Sequence, residues 1–309
     1  MKGAIIMKMI SKKVSIILMT FILVLTSSNI KINAQDIQEN YTKELAIQKL
    51  QELGMSTSEI ENLNDEELKI FFYAKEFSVD KKYYYVPEDN SKTAVLIDES
   101  TMINAIAEKE FSSNPMYDIS PYVSDTVVSS GGYLEQYVYI ADAFSYPGQY
   151  YVAYKANWLI QPLNRKIDVF GVAVSNATVI PNTSTASYSW VMARNYNGNY
   201  DPNWASGTVN LASNFKIDSH GVATKCELVN DTLDMVQQAR VQRMEMAFRV
   251  TKDNASIKTI GVSGNYLHQE TTFAVSPSIT AISFSAGISI TFADKFTEML
   301  PNPYTVLYN

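Results

Sequence analysis

The chain has 309 residues, 46% of them hydrophobic and 12% aromatic, which is enough for one large domain or two modest ones. Its 32 acidic residues outnumber 25 basic ones for a formal net charge of −7, which argues against nucleic acid and against an anionic bilayer as an electrostatic partner. A single cysteine, Cys226, excludes an intramolecular disulfide, and having only His220 and His268 removes most metal and triad arrangements.

Lys2, Lys8, Lys12 and Lys13 precede an apolar run at residues 14–27, and Ala34 closes the segment without an acidic residue before it. A basic start, an apolar stretch too short for a comfortable membrane span and a small terminal residue read as a secretory signal peptide, residues 1–34. The expected product is therefore secreted, with Gln35 as its first residue. Loss of the leader removes lysines and no carboxylate, so the remainder is more acidic still. No cysteine ends the leader and no later apolar run reaches span length, so the protein is expected to be released, or held at the cell surface by non-covalent contacts.

Residues 35–80 are expected to form a short helical segment. Leu45, Ile47, Leu50 and Leu53 fall mostly at helical spacing, and Gly54 stands where a helix ends. Ser56 with Glu59, and Asn64 with Glu67, have the three-residue offset of capping boxes. The second box opens a helix through Leu68, Phe71, Phe72 and Ala74. Leu50, Leu53, Ile60, Leu63, Leu68 and Phe71 make a core too small to stand alone, so the segment either docks on the larger domain or is a dispensable pro-segment. Residues 81–132 read as a small mixed region and linker. A hairpin over residues 82–97 turns at Pro87-Glu88-Asp89-Asn90, and a helix capped by Asp98 or Ser100 runs through Ile103, Ile106, Ala107 and Phe111. Pro115, Pro121, Gly131 and Gly132 place a boundary after it.

From Tyr133 onward a period of two dominates. Strands are expected over residues 133–141, 149–160, 166–174, 187–194, 209–217, 241–251, 256–262, 266–275 and 280–292, with Asn, Gly, Pro and Ser between them. In the second of these, Val152, Tyr154, Ala156, Trp158 and Ile160 share one face. The fold class is therefore α+β: a small helical N-terminal segment followed by a mainly antiparallel β-sandwich over residues 133–309.

Candidate chemistry is sparse. His220 and Cys226 are the one pair that could be read as a thiol dyad, but a lone cysteine is more commonly a small buried hydrophobe. The Asn-rich stretch 195–203 fails as an EF-hand, because Ala193 and Trp204 stand where the loop needs Asp and Glu. Asn197-Gly198 is instead the dipeptide of a tight hairpin turn. No G-x-S-x-G elbow, G-x-G-x-x-G, P-loop or H-E-x-x-H motif is present. No catalytic residue, metal site or cofactor is assigned on these grounds. Tyrosines cluster at Tyr133, Tyr137, Tyr139, Tyr146, Tyr150, Tyr151 and Tyr154. Sheet packing accounts for such a cluster, and the functional reading of it is an aromatic ligand platform on Tyr150, Tyr151 and Trp158.

Residues 280–292 alternate most regularly of all, with Ile282, Phe284, Ala286, Ile288, Ile290 and Phe292 on one face and mostly Ser and Thr on the other. A sandwich strand between core and solvent has this pattern, and so does a hairpin that meets lipid on one face and water on the other. The lack of an equally regular partner one turn away favours the core strand. The function expected is that of a secreted, non-enzymatic extracellular or cell-envelope-associated protein that binds a surface ligand: a cell-wall glycan, peptidoglycan or a surface protein. The alternatives are a pore-forming β-type membrane-active protein and a secreted hydrolase whose carboxylates the sequence does not pair.

Overall fold

The computed structural model describes residues 41–87, 93–112, 131–143, 145–162, 165–196, 199–231, 237–269, 278–283, 287–291 and 296–308. The expected signal peptide, residues 1–34, and the breakers Pro115 and Pro121 lie outside the described residues. The chain falls into two compact units, Met1–Leu45 and Ala46–Asn309. All packing described below lies within the second.

Three short helices come first: α1 (Lys43–Glu52), α2 (Thr57–Glu61) and α3 (Asp65–Tyr73). Gly54 takes φ +94°, Met55 donates its N–H to the Leu50 carbonyl and Gly54 to the Gln51 carbonyl, both at 3.0 Å. This is a Schellman ending, which requires a residue free to adopt positive φ. Both capping boxes form. The Ser56 hydroxyl accepts the Glu59 N–H at 3.4 Å while the Glu59 carboxylate accepts the Ser56 N–H at 2.6 Å. The Asn64 side chain accepts the Glu66 and Glu67 N–H groups at 3.1 and 3.0 Å, and Glu67 accepts the Asn64 N–H at 2.9 Å.

The strands build two antiparallel sheets. The first runs β2 (Val95–Ile97), β1 (Phe77–Val86), β3 (Gly132–Asp142), β4 (Gln149–Ile160), β11 (Gln237–Lys252), β7 (Thr185–Tyr196) and β8 (Asn199–Asn210), with β6 (Ala177–Val179) also on β11. The second runs β15 (Phe296–Glu298), β12 (Thr259–Gln269), β5 (Ile167–Ser175), β10 (Gly221–Glu227) and β9 (Lys216–Asp218), with β16 (Tyr304–Tyr308) also on β12. Their inner faces meet in one core, where Val152, Tyr154, Trp158, Met244 and Phe248 face Phe170, Val172, Val222, Val262 and Tyr266. The fold is thus a few N-terminal helices followed by a β-sandwich, as the alternation implied.

The helices cover the outer face of the first sheet. Leu50, Met55, Ile60, Leu63, Leu68 and Phe71 pack with Tyr137, Tyr139, Ala141 and Ala153. Leu53, expected in that core, is exposed in the turn that follows α1. In α4 (Glu99–Ser112), Met102 is buried while Ile103 and Ala107 are exposed, so the buried stripe is rotated from the expected one.

Four expected strands come out differently. Residues 209–217 do not form one strand: β8 ends at Asn210, whose side chain accepts the Ala212 N–H at 2.8 Å and turns the chain through Ala212–Asn214. Residues 256–262 and 266–275 contribute to a single strand, β12, across Gly264. A Cβ there would lie 2.3 Å from the Tyr154 ring, so this glycine marks a close approach rather than a turn. Residues 280–292 are divided between two strands, β13 (Ser278–Ser283) and β14 (Gly287–Thr291), which pair with each other as a separate two-stranded sheet.

Candidate ligand-binding surface

The tyrosines singled out by clustering are mostly interior. Tyr150 is 7% exposed and packs in the sandwich core, with Lys252 5.7 Å from its ring centroid. Tyr151 points the opposite way, under α3, and donates to Glu67 Oε1 at 3.1 Å. Burial, reinforced by the Glu67 charge, pushes its hydroxyl well above the ordinary tyrosine range. Trp158 is 1% exposed, and its indole N–H reaches the Asp168 carboxylate at 3.1 Å and the Tyr266 hydroxyl at 2.9 Å. The expected platform therefore does not face solvent. Alternation sends one row of β4 into the core, and helices cover the other.

The polar groups around Trp158 include a triad-like set. Cys226, Asp168 and His268 stand side by side on β10, β5 and β12, and Asp168 Oδ1 lies 2.7 Å from His268 Nδ1. All three side chains are buried in the sandwich. Burial, together with the Asp168 charge, pushes the Cys226 thiol well above its ordinary value, the opposite of what a nucleophile needs. Asp168 also accepts from Trp158 and Tyr266, so the set satisfies buried hydrogen-bonding groups and joins the two sheets. His220 is not part of it. It precedes β10, is exposed, and sits 2.7 Å from the Ser219 hydroxyl. Among the described residues no group of three His, Cys, Asp or Glu side chains could hold a metal ion.

A different set of aromatic residues does reach solvent. Strands β7 and β8 form a hairpin at the edge of the first sheet, and Tyr196 pairs with Asn199 across the Asn197-Gly198 connection. Near its root Trp190 lies against Gly207, where a Cβ would come within 2.6 Å of the indole. The register then slips between Met192 and Arg194, so β8 carries extra residues around Pro202. A proline has no N–H for the ladder and is tolerated at such a bulge. Asp201 accepts the Asn203 N–H at 3.0 Å and fixes the bulge.

Beyond the bulge, the Arg194 guanidinium lies 4.2 Å from the Trp204 ring centroid and 4.7 Å from that of Tyr196. Each such stack stabilises by roughly 0.5–2 kcal/mol. Tyr196, Tyr200 and Trp204 remain 52%, 58% and 44% exposed. Three exposed rings and a cation positioned by two of them are thus gathered on one hairpin. Arg194 Nε is enclosed and has no hydrogen-bond partner among the described residues. A second stack, Arg249 3.7 Å from the ring centroid of Tyr146, holds only one ring. The sequence does contain a signal for the hairpin set: aromatic residues stand on both sides of the Asn197-Gly198 dipeptide. It is masked by the Asn, Asp, Pro and Gly around them, which read as loop.

No family model and no curated protein matches this chain. Solved structures similar to it include the collagen-binding domain of the Erysipelothrix rhusiopathiae surface protein RspB, at 5% identity over 56% of this chain and 65% of that one, with a TM-score of 0.27. Another is ACE19, the collagen-binding subdomain of the Enterococcus faecalis surface protein ACE, at 9% identity over 53% of this chain and 90% of that one, TM-score 0.27. A third is the collagen-binding domain of a Staphylococcus aureus adhesin, at 7% identity over 52% and 88%, TM-score 0.23. Likeness at this level carries no argument about what this chain binds.

Proposed function

We propose that the protein is secreted and binds a cell-wall glycan or a surface protein through the β7–β8 hairpin, without catalysing a reaction. The observation that carries this reading is the stack of Arg194 between Trp204 and Tyr196, with Tyr200 exposed nearby. Exposed rings held in place by a cation offer contact area at small entropic cost, because little side-chain freedom is left to lose on binding. The remainder of β8 is largely Asn, Ser, Thr and Asp, which supplies hydrogen-bonding groups around the rings. The leader-like residues 1–34 support export, and the burial of Cys226, Asp168 and His268 supports a non-enzymatic role.

The test is a pull-down of the secreted protein on purified cell walls, on glycans and on collagen as a protein probe. Binding to at least one is expected, and Trp204→Ala with Tyr200→Ala should reduce it by about tenfold or more, the loss of one hot spot being worth about 2 kcal/mol. Binding that survives the double change intact, or no binding to any probe, overturns the reading.

A further inference from the structure

We propose that the ligand of the β7–β8 hairpin is an acidic glycan, whose carboxylate or phosphate group Arg194 binds through its two Nη nitrogens. The inference rests on the hairpin reading above and adds the charge and the class of what is bound.

Arg194 is the only cation in the sequence of β7 and β8, and it is left without a counter-ion. Among the described residues it has neither a hydrogen-bond acceptor nor an ion-pair partner. Asp201 stands directly opposite in the ladder, yet its Oδ1 accepts the Asn203 N–H at 3.0 Å and no ion pair with Arg194 forms. On the other side β11 sets the neutral Gln237 opposite Arg194. The guanidinium is held instead by Trp204 and Tyr196, with ring centroids at 4.2 and 4.7 Å. A ring face attracts a cation but offers no lone pair, so the N–H donors of the guanidinium stay unfilled. Nε is enclosed, which leaves the two Nη groups for a ligand. Their fork matches two oxygens of a carboxylate or a phosphate group.

The rest of the surface separates a glycan from other anions. Arg194 and Asp201 are the only charged residues of the two strands. A nucleic acid or a strongly acidic peptide calls for several cations along its length. One cation suits a chain that carries charge on few of its units. Tyr196, Tyr200 and Trp204 expose ring surface, and Asn199, Asn203, Ser206 and Thr208 add exposed neutral donors and acceptors along β8. Sugars have the matching make-up: C–H faces that lie against aromatic rings, and hydroxyls that bond to amides and alcohols. The net charge of −7 repels polyanions at long range, so attraction is confined to this point of contact.

The test is retention of the secreted chain on beads of dextran, lightly carboxymethylated dextran, lightly phosphorylated dextran and polyglutamate. The three dextrans share one neutral backbone and differ only in the anion. At least one charged dextran should be bound about tenfold more tightly than dextran, and the arm that holds identifies carboxylate or phosphate. Arg194→Gln should bring the charged dextrans down to the level of dextran. Arg194→Lys, a charge without a fork, should keep only part of the preference. Asp201→Asn keeps the acceptor for Asn203 and removes the opposing charge, so it should tighten the charged arms even if Arg194→Gln proves unstable. Charged and neutral dextrans held equally, and both released by Trp204→Ala with Tyr200→Ala, overturn this inference and leave the hairpin reading standing. Retention that the double change does not touch overturns the hairpin reading and this inference with it. Polyglutamate held as firmly as the charged dextrans overturns the glycan class. No retention on either charged dextran, with wall or collagen binding intact, overturns this inference alone.

Discussion

Glu67 shows how one carboxylate can serve two levels of structure. Its Oε2 accepts the Asn64 N–H at 2.9 Å and closes the capping box of α3. The same oxygen lies 2.5 Å from Lys155 Nζ, in a pair whose side chains are 4% and 1% exposed. Lys155 also donates to the Asn62 carbonyl, and Glu245 lies 3.8 Å away. Removing one member of a buried pair strands the other charge away from water. Lys155→Ala should therefore cost about 3–5 kcal/mol, read as a lowered urea midpoint. Replacing both partners, as Lys155→Met with Glu67→Leu, should cost clearly less. Equal losses in the single and double variants would show that the pair is not sealed. The cap was legible because its offset is local. The ion pair was not, because its partners are 88 residues apart and a lone lysine in an alternating strand reads as solvent-facing.

The β7–β8 hairpin is the element whose local chemistry misleads. Its first strand was legible from Tyr188, Trp190 and Met192 in alternation. Its second strand, Asn199–Asn210, carries Asn, Asp, Pro and Gly, all poor strand formers. It is a strand because β7 offers it a ladder, and because Gly207 leaves room for the Trp190 ring. Gly207→Ala would push a methyl to within 2.6 Å of that ring. The expected cost is about 1–3 kcal/mol, the usual range for overpacking, and calorimetric melting should register it. An unchanged melting temperature would show that Trp190 can swing aside. The twinned strands β13 and β14 have the converse history. Their alternation was plain, but their pairing with each other was not, since the sequence between them offers no hairpin dipeptide.

At the level of the whole molecule, a sandwich was legible because alternation is a local property and persists through most of the chain after Tyr133. Partner choice was not legible. Strand β4 pairs with β3 and with the distant β11, and β12 with β5 and the C-terminal β16. Such registers depend on cores that assemble only once both sheets exist. The candidate surface was hidden for the same reason. Exposure of Tyr196, Tyr200 and Trp204, against burial of Tyr150 and Trp158, is decided by which strand lies at an edge. That arrangement also distributes the three tryptophans over three optical environments. Trp158 lies in the core, Trp190 at the hairpin root and Trp204 at its surface beside a guanidinium. Iodide, drawn to that cation, should quench the emission of Trp204 and leave Trp158 untouched, so Trp204→Phe should abolish most quenching. Quenching that persists in Trp204→Phe would place another indole within reach of water. The molecule thus carries its own reporter of what settles on the hairpin, and a bound ligand should shield that emission from iodide without any added label.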